Sequence, residues 1–127
     1  MTAGLDLEPE QRQELARLLA GDSLGALRNE WSRFVTAVER GYDDSIYEYT
    51  NDLSVRDRLE RVIAGASPGL RAQLERAVTE DDNRFTAATE EAARPLGTTR
   101  TTWWWQRVPV RRIGELADDL AAFGHLG

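Results

Sequence analysis

Residues 23–41 read SLGALRNEWSRFVTAVERG, and this stretch decides the fold class. Ser23, or Asp22 before it, is a favourable residue for capping the start of a helix, and Gly41 is the residue type that commonly ends one. Between them, apolar side chains recur at intervals of three and four residues, as on one face of an α-helix. They are Leu24, Leu27, Trp31, Phe34, Val35 and Val38. The stretch therefore predicts an amphipathic helix with one buried face.

The flanking sequence predicts a helix on each side. Residues 9–20 begin with a proline, which suits the first helical position, and precede a glycine. After residue 41, Ser45 and Glu48 form a capping box that opens another helix. Its apolar side has a wide interval from Leu53 to Leu59, so the sequence allows either one continuous helix or a break near residues 51–54.

The second half of the chain predicts two more helices, separated by an irregular segment. One helix begins at Ser67 and Pro68 and extends to about Arg94, because Pro95 disfavours a helical residue before it. The segment from Pro95 to Pro109 is rich in β-branched threonine, which favours an extended loop or short strand. A last helix is predicted over about Val110–Phe123, with an inward side of Ile113, Leu116, Ala117 and Leu120.

These elements together predict an all-α bundle of four or five helices, with an irregular tryptophan-rich segment before the last helix. A length of 127 residues fits a single helical domain over residues 1–127. Cysteine is absent, which excludes disulfides and thiolate metal sites. No run of about 18 apolar residues predicts a membrane span, and the acidic start lacks the apolar segment of a secretory signal. We expect a cytoplasmic protein without a membrane partner.

Charge is distributed unevenly along the chain. The net charge is −6, yet residues 92–114 contain five arginines and no acidic residue, so the remainder carries −11. Such an acidic body with one basic segment is suited to bind a basic partner, an anion or its own basic segment.

Three consecutive tryptophans, Trp103, Trp104 and Trp105, lie within this basic segment. With Arg100 and Arg107 they form a candidate recognition surface, because Trp and Arg are frequent anchors of interfaces. The Arg/Trp segment over residues 94–112 could also stack bases and contact phosphates, although nucleic-acid binding domains are usually basic overall. The alternative is that the segment folds back on the acidic helices. If the segment is extended, its successive side chains point to opposite faces, so we expect Trp103 and Trp105 to be buried and Trp104 to be more exposed.

A second candidate binding surface follows the helix over residues 23–41. It consists of Tyr42, Asp43, Asp44 and Tyr47, and its acidic and aromatic character suits a basic partner. The alternative is a helix–helix corner in which the tyrosine hydroxyls are bonded internally. The sequence leaves these two interpretations open.

A structural ion pair is predicted between two of the helices. Asp81 falls on the apolar stripe of its helix, and Arg56 falls between Leu53 and Ile63. A buried charge needs a partner, so we expect Arg56 to pair with Asp81 or Asp82. A tuned catalytic acid is the less favoured interpretation, because structural networks also perturb carboxylates.

The residues for common catalytic mechanisms are missing. There is no Cys or Lys, and the one histidine, His125, is near the C-terminus. We therefore expect no catalytic residue, no cofactor and no bound metal. The alternative is an enzyme or metal-binding bundle built from the carboxylates of Glu48, Asp52, Asp81 and Asp82, although di-metal bundles usually add histidine.

One part of the chain resembles a group of known proteins. The pattern GYDDSIYEYTNDLSVRDRLE at residues 41–60, DNRF at residues 82–85 with Thr89, and the tryptophan-rich turn ending at Pro109 are similar to small bacterial, actinobacterial-type helical proteins, including immunity-type proteins. The resemblance implies a protein-binding role without catalytic residues. We expect a non-catalytic protein-binding domain. More specifically, we expect an immunity-like or antitoxin-like protein that neutralises a basic partner.

Overall fold

The computed structural model describes residues 5–97 and 100–126. These residues form five α-helices, a short 3₁₀ helix and a two-stranded sheet. In chain order the elements are α1 (Pro9–Leu19), α2 (Leu24–Arg40), α3 (Ile46–Gly65), α4 (Pro68–Ala88), β1 (Thr89–Glu91), the 3₁₀ helix (Trp103–Gln106), β2 (Arg107–Pro109) and α5 (Gly114–Ala122). The predicted all-α bundle is confirmed, with the irregular tryptophan-rich segment before the last helix.

Helix α2 lies against both α3 and α4 and has the predicted bounds. The Ser23 hydroxyl accepts a hydrogen bond from the Ala26 amide at 3.2 Å, which caps the helix start. Gly41 ends the helix with a φ of 109°, a conformation that favours glycine. Trp31, Val35 and Val38 are fully buried, so the apolar face of α2 forms the centre of the core.

Helix α3 is continuous, so the helix does not break near residues 51–54, which the sequence had allowed. The wide apolar interval from Leu53 to Leu59 contains Arg56, whose side chain is buried. The buried face of α3 therefore includes a charged residue. A search for apolar side chains at helical spacing does not detect such a position.

Helix α4 ends at Ala88, earlier than the predicted Arg94. The next residues form β1, which pairs with β2 in an antiparallel register of Thr89 with Pro109 and Glu91 with Arg107. The Arg107 guanidinium donates to the Thr89 hydroxyl and the Thr89 carbonyl, both at 2.8 Å. This contact from β2 stabilises the extended backbone that ends the helix.

The last helix also differs from its predicted bounds. It begins at Gly114, with a φ of 60°, and not at Val110. Ile113 precedes the helix and is 43% exposed, so its predicted inward position is wrong, while Leu116 and Leu120 are fully buried. Within the described part of the chain, no helix is long and apolar enough to span a bilayer.

Candidate functional site

The three tryptophans form one turn of 3₁₀ helix, so they do not alternate as an extended segment would. Trp104 and Trp105 are buried, with 2% and 4% exposure, and Trp103 is 39% exposed. The prediction that Trp104 is the exposed residue and Trp103 a buried one is therefore wrong. The prediction that Trp105 is buried is confirmed.

Asp57 on α3 holds the two buried indoles. Its Oδ1 accepts hydrogen bonds from Nε1 of Trp104 and from Nε1 of Trp105, both at 2.8 Å. Its Oδ2 accepts from Arg100, whose guanidinium lies 4.6 Å from the Trp105 ring centroid. One carboxylate thus satisfies two indole N–H groups and an arginine, and the sequence offered no direct signal for this role.

Arg56 joins this group to α4. It donates to Asp82 through Nε at 2.9 Å and Nη2 at 2.8 Å, a bidentate contact, and to Glu60 through Nη1 at 3.1 Å. Its guanidinium lies 4.5 Å from the Trp104 ring centroid. Burial disfavours the charged form, but the hydrogen bonds and negative charges of Asp82 and Glu60 outweigh it and raise the Arg56 pKa.

Asp82 also accepts a hydrogen bond from the Trp31 indole at 3.0 Å, which connects the group to the core face of α2. We call the connected residues the tryptophan network. Its members are Trp31, Arg56, Asp57, Glu60, Asp82, Arg100, Trp104 and Trp105.

Asp81 is not part of the tryptophan network. Its Oδ1 accepts from Arg84 at 2.9 Å, and Arg84 also contacts Glu39 at 2.6 Å. Of the two predicted partners for Arg56, the structure places Asp82 in contact and Asp81 one position away, on a more exposed side of α4.

Arg107 is also bonded within the fold, because its guanidinium contacts Thr89 at the end of α4. Arg100 contacts Asp57. Both arginines of the predicted recognition surface therefore have internal partners, and Trp103 is the one tryptophan of this segment with substantial exposure.

The tyrosines of the second predicted surface divide into buried and exposed residues. Tyr42 is buried and donates to Oδ2 of Asp52 at 2.7 Å. Burial, the hydrogen bond to Asp52 and the charges of Asp52, Asp44 and Glu48 raise its pKa. Tyr47, in the first turn of α3, is 72% exposed. Tyr47 is therefore exposed at the surface, whereas Tyr42 is buried and its hydroxyl is bonded internally.

Helix α5 brings further carboxylates beside this turn. Oδ2 of Asp119 accepts from the Ile46 amide at 2.9 Å, and the Glu115 amide donates to the Asp43 carbonyl at 3.2 Å. The start of α3 and the adjoining side of α5 therefore share one acidic surface, which we call the acidic face. It comprises Asp43, Asp44, Glu48, Glu115, Asp118 and Asp119.

The carboxylates of the acidic face are not held in ion pairs within residues 5–97 and 100–126, although Arg33 and Arg40 line a shallow cleft together with Asp43 and Asp44. The six carboxylates form no salt bridge there, in contrast to Asp57 and Asp82. Two of them have local roles at the α3 start: Asp119 accepts from the Ile46 amide, and Asp44 accepts from the Ser45 amide at 2.7 Å. The side chains of Asp43, Glu48, Glu115 and Asp118 make no hydrogen bond to a described residue.

An open cleft of about 230 Å³ lies beside the acidic face, because Ile46, whose amide contacts Asp119, is one of its lining residues. Tyr47 and Phe123, which are 72% and 46% exposed, lie at this cleft. Its other lining residues are Ile46, Thr50 and Leu96. The sequence predicted Tyr47 at this surface but not Phe123, whose position depends on the packing of α5 against the start of α3.

The predicted carboxylate alternative is not assembled in the described residues. Asp52, Asp81 and Asp82 contact Tyr42, Arg84 and Arg56 respectively, and no group of three or more His, Cys, Asp or Glu is arranged there to hold a metal ion. His125 is buried and contacts the Arg94 carbonyl through Nδ1 at 3.0 Å.

Comparison with known protein families, with curated proteins and with solved structures finds no match to this chain. The resemblance to immunity-type proteins therefore stays a prediction.

Proposed function

We propose that this chain is a non-catalytic protein-binding domain whose acidic face engages a basic partner protein. The observation that carries the proposal is the contrast in pairing. The arginines of the tryptophan-rich segment have internal partners, and the six carboxylates of the acidic face form no salt bridge with a described residue.

Electrostatics supports a partner of opposite charge. Like charges gathered on one surface repel each other, and a basic surface placed against them removes this repulsion and speeds association. The neighbouring Tyr47 and Phe123 provide exposed aromatic area, which is frequent among residues that dominate binding energy.

The specific form we propose is an immunity-like or antitoxin-like protein in the cytoplasm, which neutralises a basic partner by covering its positive surface. The six carboxylates of the acidic face carry negative charge, as an anionic substrate of such a partner would, so they suit the same positive surface. Nucleic-acid binding through the basic segment has less support, because Arg100, Arg107, Trp104 and Trp105 already have partners inside the fold.

Affinity capture with matched variants tests the proposal. The wild-type chain, an acidic-face variant (Glu48→Gln, Glu115→Gln, Asp118→Asn) and a control variant (Glu10→Gln, Glu75→Gln, Glu80→Gln) are immobilised and exposed to the proteins of the producing cell. All six substituted residues are exposed, and the two variants have the same net charge.

We expect a basic protein to be retained by the wild type and the control variant, and to be lost from the acidic-face variant. Equal retention by all three proteins, or an acidic protein as the main captured species, would contradict the proposal.

A further inference from the structure

We propose that the cleft between Tyr47 and Phe123 receives one apolar side chain of the partner, and that this side chain is flanked by basic residues that contact the acidic face. This inference rests on the proposed function and specifies the chemistry of the segment that binds.

The cleft is built where the start of α3 meets α5. Asp119 contacts the Ile46 amide at 2.9 Å, which fixes the two helices together at this point. Phe123 is the residue directly after α5, and its amide donates to the Asp119 carbonyl at 2.9 Å, so it continues the last turn on the side of Asp119. The aromatic ring and the acidic residues are therefore parts of one continuous surface.

Four of the five side chains that line the cleft are aliphatic or aromatic, which suits an apolar side chain as the occupant. Ile46 and Leu96 contribute aliphatic surface, and the Thr50 hydroxyl is already donated to the Tyr47 carbonyl at 3.1 Å. A volume of about 230 Å³ is below the usual range for a small-molecule site, which suits a single side chain. The exposed rings of Tyr47 and Phe123 leave apolar area in water that such a side chain would cover.

The charges around the cleft give the bound segment a direction. Carboxylates are concentrated at the starts of α3 and α5, including Asp43 and Glu115. At the opposite end of α5, the Arg94 guanidinium lies beside Gly124. We therefore expect the basic residues of the partner to lie near the starts of α3 and α5. Its apolar side chain should then lie between these basic residues and the end of α5 beside Arg94.

Three synthetic peptides test this inference. Each has four arginines, then one variable position, then two glycines, with leucine, alanine or lysine at the variable position. Binding to the wild-type chain is measured by fluorescence anisotropy. We expect the leucine peptide to bind about tenfold more tightly than the alanine peptide, the effect of burying one aliphatic side chain.

Two variants locate the effect. Phe123→Ala should reduce the preference for leucine over alanine to less than about threefold, because it removes one wall of the cleft. Val110→Ala is the matched control: Val110 is 53% exposed and does not line the cleft, so the preference should be unchanged. Circular dichroism of each variant verifies that it is folded.

The outcomes separate the inference from the proposed function. If the leucine and alanine peptides bind equally well, and the acidic-face variant weakens both, the cleft proposal is overturned while the basic partner stands. If the lysine peptide binds most tightly, the cleft takes a cation and the proposal of an apolar anchor is again overturned. If none of the peptides binds, both proposals fail.

Discussion

The tryptophan network and the acidic face are both rich in aromatic and charged residues, but they differ in how their polar groups are satisfied. In the network, Asp57 accepts from two indoles and Arg100, and Arg56 is bonded to Asp82 and Glu60. On the acidic face, the carboxylates form no salt bridge with any described residue. Composition marks both regions as candidate binding surfaces, and internal pairing distinguishes the structural one.

The difference follows from burial. An indole N–H or a guanidinium that leaves water needs a protein acceptor, so the buried network has to be complete. Among the residues described, the buried side-chain nitrogen or oxygen without a partner is Nε of Arg112, outside the network. The acidic face remains hydrated, and the positive ends of the α3 and α5 dipoles favour its carboxylates.

The largest effect is expected from the tryptophans themselves. Trp104→Ala should cost about 3–5 kcal/mol of folding free energy, because it empties a buried site and leaves Arg56 without its aromatic neighbour. Trp103→Ala should cost about 1 kcal/mol, since that side chain is partly exposed. Chemical denaturation followed by circular dichroism measures both. A larger loss for Trp103 would contradict the assignment of Trp104 to the network.

The next largest effect compares two adjacent residues of α4. Asp82→Ala should cost about 3 kcal/mol, because it leaves Arg56 buried with Glu60 as its remaining acidic partner. Asp81→Ala removes a more exposed contact to Arg84 and should cost about 1 kcal/mol or less. Urea denaturation of the two variants, side by side, decides this prediction. Equal costs would mean that Arg56 does not depend on Asp82.

A smaller effect is expected at Asp57. Asp57→Ala should cost about 2 kcal/mol, since the Trp104 and Trp105 indoles both lose their acceptor. Asp57→Asn keeps one acceptor oxygen and should cost less than the alanine variant. The readout is the free energy of unfolding, together with the tryptophan emission maximum, which should shift to the red in the alanine variant. Unchanged emission and stability would remove Asp57 from the network.

The smallest effect is expected in the loss of stability at alkaline pH, to which the buried Tyr42 hydroxyl contributes. Because folding raises the Tyr42 pKa above its ordinary value of 10.0, the stability that Tyr42 contributes is complete below pH 10 and is lost as the pH rises further. Tyr42→Phe should therefore lose stability less steeply than the wild type above pH 10. Unfolding free energies at several pH values compare the two slopes, so the constant cost of losing the Asp52 hydrogen bond does not interfere. Parallel slopes would contradict the raised pKa.

Local signals predicted the helices well. Ser23 and Gly41 cap α2 as expected, and Ser45 caps the predicted start of α3, because its hydroxyl accepts a hydrogen bond from the Glu48 amide. The Glu48 side chain does not complete the predicted capping box, since the Ser45 amide donates to Oδ1 of Asp44. These contacts join residues that are close in sequence, so propensity and periodicity contain the necessary information. The early end of α4 depends on Arg107, 18 positions after Thr89, and no local pattern predicts it.

The candidate site was less predictable for the same reason. Tyr47, Asp43 and Asp44 were identified from the sequence, but the contribution of α5 depends on Asp119 reaching the Ile46 amide across 73 positions. The exposure of Trp103 in place of Trp104 follows from a 3₁₀ turn held by Asp57, 47 positions before Trp104. Such long-range contacts decide which aromatic side chains are buried and which are exposed.

We propose that the acidic face, and not the tryptophan-rich segment, is the binding surface. The most direct measurement is the affinity of the leucine-containing arginine peptide for four proteins at low salt: the wild type, the acidic-face variant, its charge-matched control and Trp103→Ala. We predict at least about tenfold weaker binding for the acidic-face variant, the effect of losing three facing charges, and a change below about twofold for the control and for Trp103→Ala. Weaker binding to Trp103→Ala, with unchanged binding to the acidic-face variant, would contradict the account.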